Sequence, residues 1–132
     1  MTPCSPRTEH AGRGYKVPNG GVYASAADLC RLIAYARKPD VAAFSDAIWA
    51  ELQEFQTPES LQDGYGLGFF VELAPDGQRL LSHGGSIPGY TAYWAFDPDR
   101  RIGAAILRNY NSGRTSLSLV KSLVREVAPL SE

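Results

Sequence analysis

At 132 residues the chain has the length of one domain with a core of modest size. Its 44% hydrophobic, 20% charged and 11% aromatic residues exclude intrinsic disorder, and no apolar run reaches the length of a membrane span. Thirteen Lys and Arg against fourteen Asp and Glu give a formal net charge of −1, so no long-range field favours nucleic acid or an anionic membrane as a partner.

In chain order, residues 1–21 carry Pro3, Pro6 and Pro18 with glycines at 12, 14, 20 and 21, which suits an irregular N-terminal segment before a structured portion over 22–132. Ser25 and Asp28 match a capping box, and Leu29, Leu32, Ile33 and Ala36 continue at helical spacing until Pro39, predicting a first helix. Ile48, Trp49, Leu52 and Phe55 predict a second helix over about 44–55, closed by Thr57-Pro58. The period then changes to that of strands. "YGLGFFVEL", the turn "APDGQ" and "RLLSHG" read as one antiparallel hairpin, and "TAYWAFD" and "IGAAILRN" flank "PDR" as another. Residues 65–109 are thus expected to form a four-stranded meander, with Gly64, Gly66 and Gly68 alternating in a strand and not forming a phosphate loop.

From Arg114 the pattern is helical again. Leu117, Val120, Val124 and Val127 form an apolar stripe, widened by Leu119 and Leu123, that should lie on the sheet. Ser118, Lys121, Ser122 and Arg125 fall on the opposite, polar face. The order is that of an α+β chain: an antiparallel meander of about four strands, two helices before it and one packing helix after it.

Cys4 and Cys30 make neither a metal-ligand spacing nor a disulfide framework, and Cys30, among apolar helix residues, reads as a reduced, buried thiol. His10 and His83 are far apart, with no His-x-x-x-His beside them, so no metal or other cofactor is expected. The start "MTPCSPRTEH" lacks a charged stretch followed by an apolar one, which makes the cytoplasm the default compartment. A fragment of a longer exported protein would instead be periplasmic or secreted.

"GGVYASAADLCRLIAYA", "YGLGFFVEL", "HGGSIPGYTAYWAFDPDRRIGAAILRNY" and the closing helix together resemble the C-terminal part of the serine β-lactamase-like family, over about Gly14 to Val127. That family includes class C β-lactamases, penicillin-binding DD-peptidases and related esterases. The resemblance implies a partial β-lactamase/transpeptidase-like fold. It also implies a chemistry built from three elements: a nucleophilic Ser-x-x-Lys, a Tyr-x-Asn or Ser-x-Asn, and a strand triad written Lys-Thr-Gly or His-x-Gly. His83-Gly84-Gly85 matches the third. By this resemblance the His83 imidazole hydrogen-bonds or moves protons in the cleft, Gly84 and Gly85 keep side chains away from the bound acyl group, and the N–H of Ser86 is one oxyanion donor. Taken alone, "SHGG" is more often a polar strand end satisfied by water before a turn, and it is the surrounding resemblance that reverses those odds.

The other two elements are not in place. Ser118-Leu119-Val120-Lys121 spells Ser-x-x-Lys, but eleven serines and three lysines produce such a string by chance in about one sequence in four of this composition. It falls on the polar face of the last helix, whereas the family's nucleophile opens a buried helix early in the chain. No Tyr-x-Asn or Ser-x-Asn occurs. Two functions of different classes follow from this. One is the C-terminal fragment of a β-lactamase-like hydrolase of esters, amides or lactams, inactive alone, whose missing N-terminal half is in another chain or in a part of the same protein outside this sequence. The other is a non-catalytic binding or assembly module that takes a small acyl or peptide ligand. In the family the strand corresponding to Ile102–Arg108 is internal. Here it is expected at a sheet edge, apolar and uncharged from Ile102 to Leu107, and a homodimer through that edge is the favoured cover.

Overall fold

The computed structural model describes residues 12, 14, 20–36, 45–58, 62–110 and 117–127. Among these are three helices, α1 (Ala26–Ala36), α2 (Asp46–Leu52) and α3 (Leu117–Glu126). Six strands accompany them: β1 (Thr57–Pro58), β2 (Asp63–Tyr65), β3 (Phe70–Leu73), β4 (Arg79–Ile87), β5 (Tyr90–Asp97) and β6 (Ile102–Arg108). All pair antiparallel with their sequence neighbours in one sheet ordered β1-β2-β3-β4-β5-β6, so the α+β architecture is as expected and the meander is two strands longer.

One added strand, β2, comes from glycine chemistry inside "YGLGFFVEL", and the other, β1, is the Thr57-Pro58 pair that the sequence reads as a helix stop and that here pairs with Tyr65 and Gly64. Gly66 N–H donates to Phe69 O at 2.8 Å and Gly68 has φ +91°, so the chain reverses between Tyr65 and Phe70 where one continuous strand is expected from the sequence. A side chain at Gly66 would collide with the carbonyl of Leu52, which packs this turn against the end of α2.

Capping sets where the first two helices begin. Ser25 Oγ accepts from Asp28 N–H at 3.2 Å, while the Asp28 carboxylate accepts from Ser25 N–H at 3.0 Å and from Ser25 O–H at 2.7 Å. Ser45 caps α2 by accepting from Ile48 N–H. This second helix stops at Leu52, short of Phe55, because its last carbonyls find other partners. Trp49 O accepts from the Gln53 side chain at 2.9 Å, Ala50 O from Gln53 N–H, and Leu52 O from Leu67 N–H at 3.1 Å.

The tight connections follow from their residues. Gly77, at φ +86°, turns "APDGQ" while Asp76 accepts from Gln78 N–H. Pro88-Gly89, with Gly89 at φ +85°, has the residue pattern of a type II turn and joins Ile87 directly to Tyr90. Asp97 is fully buried, and one carboxylate oxygen accepts from Asp99 and Arg100 N–H while the other accepts from Gln78 Nε2 at 2.8 Å. Arg100 then reaches back and donates to the carbonyls of Val124, Arg125 and Val127, closing the C-terminus of α3.

Strand alternation gives the sheet two different faces. On one, α3 packs Val120 and Val124 onto Leu80 and Ala95, edged by Tyr93, Ile102, Ala104 and Ile106. On the other, Ile33 of α1 joins Val71, Leu81 and Phe96, with Trp49, Phe55, Phe69, Trp94 and Ala105 around them. Each fully buried residue of this size, Phe96, Leu81 and Val71 among them, stabilises the fold by about 1.5–3 kcal/mol. Helix α1 comes so close to β6 that a side chain at Gly103 would strike Ile33.

The α3 stripe differs from the one expected. Leu117, Val120, Lys121 and Val124 face the sheet, whereas Leu119, Leu123 and Val127 are exposed. Lys121 is only 12% exposed: its Nζ lies 4.9 Å from the Phe70 ring centre and 2.7 Å from Glu72 Oε1, which Arg125 also contacts at 3.1 Å. A long apolar stem with a charged tip can occupy a core-facing position once a carboxylate waits beside it, and Glu72 supplies that carboxylate. Cys30 is exposed, contrary to the buried position expected for it, because α1 turns Ile33 to the sheet and leaves Cys30 on the outer side. The onset of α3 at Arg114 and the end of α1 at Pro39 lie outside the described residues.

Candidate functional site

His83 sits in the middle of β4 with its side chain exposed, on the same face of the sheet as Leu81 and Phe96. Its cross-strand partner is Trp94, and its ring meets Tyr65 edge to face with centroids 6.1 Å apart and planes at 70°. Phe69 closes the group, 5.5 Å from Trp94 and nearly perpendicular to it. The histidine therefore rises at the margin of an aromatic cluster, with the apolar core of that face beneath.

The two glycines after it do different things. Gly84 pairs with Tyr93, and a Cβ on Gly84 would overlap the Tyr93 ring, so this glycine exists to let the tyrosine lie across the strand on the α3 face. Gly85 pairs with Ala92 on the His83 face, and a Cβ there would meet nothing within 4 Å. Ser86 pairs with Thr91 and is exposed. The stretch from Ser86 to Tyr90 is not a loop, since β4 stays regular to Ile87 and the reversal takes only Pro88 and Gly89. Just past β6, the carbonyl of Tyr110 accepts from Thr91 Oγ1 of β5 at 3.4 Å.

Ladder register adds a feature that no motif announces. β4 pairs with β3 only as far as Ser82, but with β5 as far as Ile87. Along residues 83–86, among the described residues, no strand lies on the β3 side. The backbone there presents N–H and C=O groups toward an open edge next to the imidazole, the arrangement by which an extended acyl or peptide group can be held by main-chain hydrogen bonds.

The other Ser-x-x-Lys residues are on the wrong side of the sheet. Ser118 is exposed on α3, Lys121 is bound to Glu72, and α3 covers the face opposite His83. Neither can reach the imidazole. Among the described residues no three His, Cys, Asp or Glu side chains are grouped as metal ligands, and no helix is long and apolar enough to cross a membrane. Tyr65 and the open edge of β4 are the parts of the site that sequence reasoning missed. The only sequence signal for Tyr65 is its place in "YGLG", since its approach to His83 depends on the turn at Gly66–Phe69.

A family model described as Beta-lactamase matches residues 2–128. Among solved structures, the octameric penicillin-binding protein homologue from Pyrococcus abyssi is similar, with a TM-score of 0.65 and 24% identity over 80% of this chain. The match covers 25% of that protein, so the chain spans about a quarter of its length, and at this identity the likeness is one of fold. No curated protein matches.

Proposed function

Because the chain belongs to the beta-lactamase family, we propose that it is the C-terminal portion of a β-lactamase-like serine hydrolase acting on ester, amide or lactam bonds. In this reading His83 and residues 84–86 form one wall of the active site. The observation that carries it is the edge of β4 beside an exposed imidazole, which among the described residues has no strand paired to it and no atom within 4 Å of a Cβ at Gly85. An acyl group laid along that edge would have its carbonyl within reach of strand N–H groups, and His83 would donate to, or take a proton from, the reacting atoms. The nucleophile is supplied from outside this chain, so the isolated protein turns over neither cephalosporin-type lactams nor aryl esters above background. The small share of the similar structure that this chain spans supports the fragment reading.

A fluorescent penicillin and a fluorophosphonate test it. Isolated protein should take no covalent label, and label should appear when a polypeptide bearing the family's Ser-x-x-Lys segment is added. Labelling of the isolated chain lost in Ser86→Ala, or in Ser118→Ala, would overturn this reading and make the chain a self-contained enzyme.

A second reading is favoured by one observation, that among the described residues β6 ends the sheet, with an uncharged run from Ile102 to Leu107. This is a non-catalytic homodimeric binding or assembly module pairing through β6. Ile106 packs toward α3, so a charge placed there would disturb the core before it reported on the edge. Light scattering together with amide exchange over 102–107 is the cleaner measurement. A dimer with protected amides supports the module, and a monomer with fast-exchanging edge amides rejects it.

A further inference from the structure

At the other end of β4, four residues and about 13 Å from His83 at ~3.3 Å per residue, an open cavity of about 330 Å³ lies between α2 and the sheet. Its apolar floor is Phe55, Val71 and Leu73. Two charged residues line it, Arg79 and Glu54. Arg79 is half-buried and donates to Gln53 Oε1 at 3.1 Å, and Gln53, only 7% exposed, is itself held by its bond to Trp49 O. The guanidinium is therefore oriented by a fixed amide, yet among the described residues no carboxylate lies within ion-pair distance of it. Glu54 is exposed on the rim and likewise has no ion-pair partner among them.

A half-buried arginine with no carboxylate beside it among the described residues is a ready-made seat for one, because its remaining donors form a planar fork. A ligand that also answers Glu54 must carry a cation, and one that fills the floor must carry an apolar group. The volume is at the small end of ligand sites. We infer that this cavity binds a free α-amino acid with an apolar side chain, its carboxylate on Arg79, its ammonium toward Glu54, and its side chain on Phe55 and Leu73, over the buried Val71. The site is separate from the proposed hydrolytic wall, and its failure would leave His83 untouched.

The test is a titration of the isolated chain with L-leucine, followed by the methyl resonances of Val71 and Leu73. Two truncated probes accompany it: 4-methylpentanoate, which lacks the ammonium, and 3-methylbutylamine, which lacks the carboxylate. Leucine should saturate with a dissociation constant of roughly 1–10 mM, the range for a ligand of this size in an open site. Each truncated probe should bind about tenfold more weakly, the effect of one charge-assisted contact. Arg79→Gln should abolish the preference for leucine over 3-methylbutylamine, and Glu54→Gln the preference over 4-methylpentanoate. Ala50→Phe, at an exposed α2 position lining the cavity, should block all three. If Arg79→Gln does not fold, the exposed Glu54 variant and the Ala50 variant still decide. Absence of saturable shifts at Val71 and Leu73, preferences that survive in both charge variants, or shifts centred on His83 would each overturn the assignment.

Discussion

Replacing Gly84 and Gly85 one at a time by alanine separates what the His-x-Gly motif does for the fold from what it offers a ligand. At Gly84 the new methyl would overlap the Tyr93 ring, which must swing off the strand and away from the contacts it makes beside Ala95, Val120 and Val124. Overpacking of this kind costs about 1–3 kcal/mol, and alanine recovers about 0.5–1 kcal/mol of backbone entropy relative to glycine in a strand. The net loss is at most about 2.5 kcal/mol and centred on about 1 kcal/mol, or about 4 °C in melting temperature at that centre for a chain of this size. At Gly85 the methyl enters open space, so only the entropic gain remains and the variant should melt no lower than the parent. Thermal and urea unfolding of both variants reads the difference directly. A double-mutant cycle with Tyr93→Ala isolates its cause, because Gly84→Ala should cost nothing once the ring is gone, a coupling of about 1–3 kcal/mol. Equal stability of the two single variants, or a cost at Gly84 that persists without Tyr93, would refute the division of labour. If Gly85→Ala, folded as well as the parent, also leaves labelling of the reassembled protein unchanged, the open strand edge is not where the acyl group lies.

Arg100→Ala should leave the carbonyls of Val124, Arg125 and Val127 without their donor, costing about 1.5–3 kcal/mol and speeding amide exchange in the last turn of α3 before the sheet responds. Lys121→Ala should destabilise by about 1–3 kcal/mol, since it strips Glu72 of its closest cation and Phe70 of its cover, while Ser118→Ala, on the exposed side of the same helix, should change chemical denaturation by less than about 0.5 kcal/mol. The Ser25 hydroxyl and N–H, with Arg31 adding to them, hold the Asp28 carboxyl below its ordinary value of 3.8. A carboxyl depressed in the folded state contributes stability that is complete above its unfolded pKa and is lost as pH falls through the folded one. Protection of α1 amides should accordingly be constant from neutrality to about pH 5 and decline below about pH 4, and Asp28→Asn should remove that dependence.

How much of this could be read from the residues alone depended on how far each cause reaches along the chain. The capping box at Ser25 and Asp28, the turn at Gly77, and the two-residue period of β4, β5 and β6 are local and are found where the sequence implies them, although β4 runs past "RLLSHG" to Ile87. The α+β order and the resemblance to one family followed from the same short-range patterns. The faces of α3 were not legible. Hydropathy puts Leu119 and Leu123 inside and Lys121 outside, but Glu72, 49 residues away in sequence, turns the helix so that Lys121 faces the sheet. Nor could residue types assign Gly84 to packing and Gly85 to open space, because that depends on which of the two stands opposite Tyr93. The open side of β4 has the same origin. The sequence determined that a histidine would stand in a strand before two glycines, and pairing register alone decided that the β3 ladder would stop at Ser82 and leave the next residues of β4 without a partner strand on that side among the described residues, since register is a property of two segments brought together and belongs to neither.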